Sequence, residues 1–283
     1  MKIVALLTVR NEELYIERCI EHLRTQGVDV YLTDNGSMDN TIKIAKRFIG
    51  KGIMKIEHLP YRGSFELYNI LKHEETIALN INADWFIHHD ADEIREAPKP
   101  YKTLLDGIMH VDKNGYNAIN FDEFVFVPTN ADEPYENKDY FNGMKHYYFY
   151  APHKLRRVNA WKNTKTPIDL TSHAGHMVSF DGINIFPTNF ILRHYLVLSK
   201  DHARNKYGFR KYSEKEIVDL GWHKNRAAFD PEALTLPNKE QLKIIDPNNE
   251  WDRSDPWKAH FFINRNGLKS PTVIPTLSKK DEK

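Results

Sequence analysis

The 283-residue chain carries 40 Lys and Arg against 39 Asp and Glu, and 41% of its residues are hydrophobic. This composition is typical of a globular protein that buries a sizeable core. A formal net charge of +1 gives no general attraction to nucleic acid, so we expect no nucleic-acid partner. The single cysteine, Cys19, excludes an internal disulfide and a cysteine-based zinc site. We expect a cytoplasmic protein, with weak peripheral attachment to a membrane surface left open.

Short apolar runs alternate with segments of helical periodicity through the first hundred residues. The runs predict strands at 3–7, 30–33, 53–58 and 85–88, and the periodic segments predict helices at 14–26, 41–49 and 65–78. Such alternation predicts βαβ units, and therefore a parallel sheet with helices on both faces.

The second half of the sequence is less regular. It predicts helices at 101–110 and 200–220, the latter interrupted near Gly208, strands at 117–127, 147–150, 155–158, 176–180 and 191–195, and a loop at 130–142. Residues 278–283 form a charged tail that we expect to be disordered.

Three polar clusters follow predicted strands, at residues 8–12, 34–39 and 90–93. Ligands of an open parallel sheet bind beyond the carboxyl ends of its strands, so we expect the clusters to meet in one crevice. In the third cluster, Asp90 and Asp92 flank a single alanine. This pair of carboxylates suits a hard divalent cation, Mg²⁺ or Mn²⁺, which could hold a diphosphate.

In order, spacing and strand-end placement, these clusters resemble motifs of family 2 glycosyltransferases of the GT-A fold. The resemblance rests on Val9-Arg10-Asn11-Glu12, on Asp34-Asn35-Gly36-Ser37-Met38-Asp39-Asn40-Thr41, and on His89-Asp90-Ala91-Asp92-Glu93. It covers residues 1–100 well and the rest loosely.

The resemblance implies an α/β fold with a GT-A-type, Rossmann-like, mostly parallel sheet flanked by helices. A mixed acceptor-side half and a helical or irregular C-terminal extension would complete it. We expect a catalytic domain at 1–220, divided into a nucleotide-binding half at 1–97 and an acceptor-side half at 98–220. The extension would occupy 221–283.

The resemblance also implies a donor site. Its nucleotide-binding residues would be Thr8, Arg10, Glu12, Asp34, Ser37, Arg62 and Asp90. Asp34 can accept a hydrogen bond from a uracil or guanine N–H, and Arg62 can pair with a phosphate. The Mn²⁺ or Mg²⁺ ion would be held by Asp92 and by a late histidine, His194, with His176 as the second choice for that histidine. Arg193, Arg204 and Lys206 could clamp the diphosphate.

Transfer with inversion needs a base that takes the proton from the acceptor hydroxyl. Asp122 and Glu123 are candidates because they interrupt an apolar strand, where a carboxylate is costly without a role or a partner. Strand alternation points them to opposite faces, so at most one faces the site. His176 is the third candidate, and His173 and Asp181 lie in the same region. His88 and His89 are interpreted as a strand-end pair.

The predicted function is glycosyl transfer from a UDP- or GDP-linked sugar to a hydroxyl of a glycan, a lipid carrier or another acceptor. The alternatives are a sugar nucleotidyltransferase, a metal-dependent hydrolase and a non-catalytic nucleotide-binding module. The first usually has a glycine-rich, basic phosphate loop after its first strand, where this chain has Arg10-Asn11-Glu12-Glu13. The second would want further His and Asp ligands at neighbouring strand ends, but the first two strand ends offer Asp34 and no histidine.

Overall fold

The computed structural model describes residues 1–230, 232–246, 248 and 250–262. The chain divides into two compact units. Unit 1 comprises Met1–Glu123, Leu155–His194 and Arg210–Lys224, and unit 2 comprises Phe124–Lys154, Tyr195–Phe209 and Asn225–Lys283. The tail predicted at 278–283 lies outside the described residues. Within the described part, no helix is long and apolar enough to cross a membrane.

The described elements alternate regularly only in the first third of the chain. The strands are β1 (Ile3–Val9), β2 (Asp29–Asp34), β3 (Ile53–His58), β4 (Trp85–His89), β5 (Glu93–Glu96), β6 (Ala118–Phe126), β7 (His146–Tyr150), β8 (Val158–Lys162), β9 (Phe190–Tyr195) and β10 (Lys243–Ile244). The α-helices are α1 (Ile16–Thr25), α2 (Thr41–Ala45), α3 (Leu67–Asn80), α4 (Leu104–Lys113), α5 (Tyr140–Gly143), α6 (Lys200–Ala203), α7 (Glu214–Asp219) and α8 (Lys224–Ala227).

Unit 1 is built on a parallel sheet in the order β4-β1-β2-β3. β8 lies antiparallel beside β4, and the first residues of β6 pair with β8. The predicted α/β fold, with a parallel sheet that becomes mixed on one side, is therefore confirmed. Because β1 lies between β2 and β4, the strand order reverses at β1. This reversal is the point at which open α/β sheets bind their ligands.

Helix α3 attaches to this sheet through an apolar stripe. Ile70, Leu71, Ile77 and Ala78 are buried, at the three- and four-residue spacing of one helix face. The stripe packs in a core cluster with β1 and β4, and each large buried side chain contributes about 1.5–3 kcal/mol by leaving water. Glu74 lies in the same stripe and is only 1% exposed. A carboxylate at such a position requires partners.

Strand β5 was not predicted from the sequence. It pairs antiparallel with β9, and Glu93 lies opposite His194. Its charged pattern, Glu-Ile-Arg-Glu, is typical of a solvated turn, but Glu93 and Arg95 are buried as an ion pair. The strand predicted at 155–158 begins instead at Val158. The prediction of a strand at 176–180 was wrong, because that segment makes only isolated β-bridges.

In unit 2, β7 pairs antiparallel with β10, and aromatic rings form much of the interior. Phe124 stacks on Trp251 with ring centroids 4.4 Å apart, and Tyr148 stacks on Trp257 at 4.2 Å. The helix predicted at 200–220 is divided, since α6 continues into a π-helical turn, Arg204–Gly208, and α7 is separate.

Candidate functional site

The loops after β1 and β2 are joined through Arg10. Its Nη1 donates to the carbonyl oxygens of Asn35, at 3.1 Å, and Gly36. Its guanidinium lies 3.5 Å from the centre of the Tyr61 ring, a stacked cation–π contact. Gly36 has φ +73°, and a Cβ there would lie 3.1 Å from Cβ of Tyr61. The second motif therefore needs its glycine both for the turn and for this close approach.

The remaining side chains of the first two motifs tie the same loops together. Asp34 Oδ1 accepts from the Ser37 amide at 2.9 Å, and Asp34 Oδ2 lies 3.6 Å from His58 Nδ1. Ser37 Oγ accepts from the Asn11 amide at 3.1 Å, and the Glu12 amide donates to Thr41 Oγ1 at 2.7 Å. The structure thus brings the predicted nucleotide-binding residues of the two loops into one hydrogen-bonded layer.

Past the end of β4, Asp92 faces a late histidine. His194 Nε2 lies 3.4 Å from Asp92 Oδ2, and His194 Nδ1 donates to Glu123 Oε1 at 2.7 Å. All three side chains are almost fully buried. Residues predicted separately as metal ligands and as a base are therefore connected by side-chain contacts.

Arg157 extends these contacts beyond Glu123. Its Nε and Nη2 hold both oxygens of Glu123, at 2.7 and 2.9 Å, and its Nη1 lies 3.1 Å from His176 Nδ1. A guanidinium only donates, so Nδ1 of His176 must accept, and the His176 proton is on Nε2. The same Nη1 lies 3.8 Å from Glu93. Arg157 is thus the centre of a buried network of paired charges.

The network shifts the pKa values of its members. Burial by itself would lower the pKa of His194, but the Asp92 and Glu123 carboxylates raise it to about 10. Burial would raise the pKa of Glu123, but Arg157 and His194 hold it well below its usual range. His89 behaves in the opposite way, since burial and the Arg95 guanidinium lower its pKa to about 3. His89 is therefore neutral and accepts from Arg95 Nε at 3.0 Å.

The donor chemistry of Asp92 and His194 fits a divalent cation. A carboxylate oxygen and an imidazole nitrogen face each other, and the second nitrogen of the imidazole is oriented by a carboxylate, as is usual for metal-bound histidines. Among the described residues, no group of three or more His, Cys, Asp or Glu side chains could hold a metal ion. A cation on this pair would therefore take its other ligands from phosphate oxygens and water.

The other predicted residues have different surroundings. The Thr8 hydroxyl donates to Glu74 Oε1 at 2.7 Å. Arg62 and Asp90 are exposed, Arg62 in the loop after β3 and Asp90 directly after β4. Asp122 is half-buried and accepts from Asn189 at 2.9 Å. The predicted clamp residues contact protein groups: Arg193 pairs with Glu96, Arg204 with Asp201 and Glu232, and Lys206 with the Leu196 carbonyl.

Two residues of the site were missed by the sequence analysis. Arg157 follows a second arginine and carries no local signal of its role. Glu74 does carry one, because a carboxylate occupies a core position of α3 between Leu71 and Ile77. The three-residue spacing of Glu74 from Leu71 and Ile77 could have identified it as a buried carboxylate.

Comparison with known proteins finds a family profile that one segment matches. Residues 5–69 match the sequence profile of Glycosyl transferase family 2. No curated protein matches the chain significantly. One similar solved structure is S. aureus TarS, with 14% sequence identity, a TM-score of 0.45, and coverage of 69% of this chain and 37% of that chain. A second is S. aureus TarS 1-349 in complex with UDP-GlcNAc, with 12% identity, a TM-score of 0.46, and coverage of 69% of this chain and 58% of that chain. A third is the apo-form glycosyltransferase GlyE of Streptococcus pneumoniae TIGR4, with 11% identity, a TM-score of 0.27, and coverage of 58% of this chain and 34% of that chain.

The chain thus spans less than two thirds of these three structures. The profile match is independent of them, and it contains the Arg10 and Asp34 motifs with the strands that carry them. The match of residues 5–69 to the Glycosyl transferase family 2 profile confirms the resemblance predicted from the sequence.

Proposed function

We propose that this protein is a glycosyltransferase that moves a sugar from a nucleoside-diphosphate donor to a hydroxyl acceptor. The observation that supports this most is the position of two groups at one sheet edge. The Arg10–Asp34 layer follows β1 and β2, and the Asp92–His194 pair lies beyond β4, so both flank the point where the strand order reverses. A nucleoside diphosphate needs both groups, one for its base and one for its phosphates.

In this proposal the first layer binds the nucleoside. Asp34 accepts from a base N–H, which suits uracil or guanine, and so the donor is UDP- or GDP-linked. Thr8, Arg10, Glu12 and Ser37 border the nucleoside, Asp90 is available to the ribose, and the exposed Arg62 is available to a phosphate. Because Arg10 is already held by two carbonyl groups and by Tyr61, it is preorganised before the donor arrives.

Asp92 and His194 would hold Mn²⁺ or Mg²⁺ on the diphosphate. The cation supplies Lewis-acid neutralisation of the leaving group's charge. Glu123 positions His194 through its Nδ1 hydrogen bond, and Arg157 fixes Glu123 in turn. His194 must be neutral to coordinate metal, although its carboxylate neighbours favour the protonated ring in the unliganded site. Transfer would proceed by a single displacement with inversion at the anomeric carbon.

The acceptor in this proposal is a glycan, a lipid carrier or another hydroxyl compound, with peripheral attachment at a membrane surface in the second case. A single cysteine, which allows no internal disulfide, supports the cytoplasm as the compartment.

Thermal stabilisation by nucleotide sugars tests the proposal. UDP-GlcNAc, UDP-glucose and GDP-mannose are added to the wild type, to Asp92→Asn and to the exposed control Asp219→Asn, each with and without Mn²⁺. We expect one donor to stabilise the wild type and the control in a Mn²⁺-dependent way, and Asp92→Asn to lose that dependence. Release of the nucleoside diphosphate then separates an enzyme from a binding module. If no nucleotide or nucleotide sugar shifts the transition, the proposal is wrong.

A further inference from the structure

A buried carboxylate holds a histidine at the reversal point of the sheet. Glu74 Oε2 lies 2.6 Å from His88 Nδ1, and Glu74 Oε1 accepts from the Thr8 hydroxyl at 2.7 Å. Three elements meet here, since Glu74 is on α3, Thr8 near the end of β1 and His88 near the end of β4. The Glu74 side chain is 1% exposed and the His88 side chain 10% exposed.

His88 Nδ1 faces the buried Glu74 carboxylate, so Nε2 lies on the opposite edge of the ring. Gly175, in the loop between β8 and β9, lies against this edge. A Cβ at position 175 would come 2.9 Å from His88 Nε2. Only a glycine leaves the space beside this nitrogen open.

The base candidates predicted from the sequence are less favourably placed. Both oxygens of Glu123 are held by Arg157, and one also by His194. His176 has its acceptor nitrogen turned to Arg157. Asp122 is on the opposite face of β6 from Glu123, as strand alternation requires. In this arrangement the carboxylate of Glu123 and Nδ1 of His176 are already engaged by Arg157, and Asp122 accepts from Asn189.

We infer that His88 is the general base of the proposed transfer and that Glu74 orients it. The inference rests on the proposed function. Glu74 accepts the Nδ1 proton and so leaves the Nε2 lone pair available, the arrangement that activates histidine in other carboxylate–histidine pairs. The acceptor oxygen bonds to the anomeric carbon as its proton passes to Nε2. The bond from that carbon to the diphosphate breaks, and its electron pair leaves with the nucleoside diphosphate.

The surroundings of His88 suit proton uptake. Burial by itself would lower the pKa of His88, but Glu74, Asp90 and Glu93 raise it. Other titratable groups on adjacent elements include His89 on β4, Lys72, His73 and Glu75 on α3, and His173 and His176 in the Gly175 loop; Thr8 contributes an uncharged hydroxyl. After transfer the His88 ring is a cation paired with Glu74. The ring then returns its proton to water.

Four proteins test this inference: wild type, His88→Gln, Glu74→Gln and the exposed control His153→Gln. Release of UDP or GDP is measured with the donor that stabilises the wild type, and with water or glycerol as the acceptor. We expect His88→Gln to lose at least ~100-fold in rate, while its donor affinity stays within about threefold of wild type. Glu74→Gln should move the acidic limb of the pH–rate profile to lower pH, because the carboxylate that raises the His88 pKa is gone. The control should match the wild type.

Rescue by free imidazole separates a catalytic from a structural role. Imidazole should restore part of the rate of His88→Gly and should leave the wild type unchanged. A wild-type rate in His88→Gln would overturn the inference. So would a rate loss in both His88 variants without imidazole rescue, combined with an unchanged pH–rate profile in Glu74→Gln. Either result would leave the proposed function intact. Absence of any donor binding and turnover in the wild type would overturn both. If the His88 variants do not fold, the profile of Glu74→Gln decides.

Discussion

Glu123→Gln is the most direct perturbation of the buried network. The substitution keeps the size of the side chain and removes the charge that Arg157 contacts at 2.7 and 2.9 Å. Removing one partner of a buried ion pair costs about 3–5 kcal/mol, because the other charge stays buried without compensation. Arg157 retains Glu93 at 3.8 Å, so we expect the low end, about 3 kcal/mol of unfolding free energy. For a chain of this size that corresponds to a melting temperature roughly 6–12 °C lower.

The dependence on pH follows from the direction of the shift. Arg157 and His194 lower the pKa of Glu123 in the folded state, so its carboxylate stabilises the fold above the usual glutamate pKa of about 4.3. This stabilisation is lost as the pH falls below that value toward the folded pKa. The difference between wild type and Glu123→Gln should therefore be constant from about pH 6 to 8 and narrow below about pH 4.3.

Urea unfolding followed by circular dichroism measures both effects, with Asp219→Asn as the control. The double variant Glu123→Leu with Arg157→Met should recover most of the loss, since it leaves no buried charge without a partner. A loss below about 1 kcal/mol in Glu123→Gln, or a difference that is the same at pH 4 and pH 7, would refute the network as described.

Three further outcomes are expected. Asp92→Asn should lose the Mn²⁺-dependent part of donor stabilisation; retention of that part would remove Asp92 from the proposed metal site. Glu216→Ala should lower the unfolding free energy by about 2 kcal/mol, because Glu216 accepts from the first two amides of α3 at 3.1 and 2.7 Å, and thermal unfolding measures it. Gly36→Ala should weaken donor binding in calorimetry, since the backbone there has φ +73° and Tyr61 lies close; unchanged affinity would show that the turn tolerates a side chain.

The parallel half of unit 1 could be predicted because its signals are local. Each strand from β1 to β4 is a short apolar run, and each connecting segment has helical spacing or turn residues. β3 was predicted with its observed bounds, Ile53–His58. The rule that ligands bind at carboxyl strand ends then brought Arg10, Asp34 and Asp92 to one edge without any coordinates.

The pairing of charges could not be predicted, because it depends on contacts between distant parts of the chain. His194 meets Glu123 across 71 residues and Arg157 meets Glu123 across 34. β5 was missed for the same reason, since its buried Glu93 lies opposite His194 and near Arg157, and its Glu96 pairs with Arg193. Composition marks such a segment as solvated, and only tertiary pairing reverses that expectation.

The two histidines that end β4 show how one strand can serve both halves of a displacement. His89 is neutral, its Nδ1 turned to Arg95 in the layer of buried charges that also holds Glu93. His88, the preceding residue of β4, is oriented by Glu74 instead. The backbone that leaves β4 continues directly to Asp92. In the proposed transfer, the residue that would hold the cation on the diphosphate and the residue that would take the acceptor proton therefore lie on one short segment, so the position of each constrains that of the other.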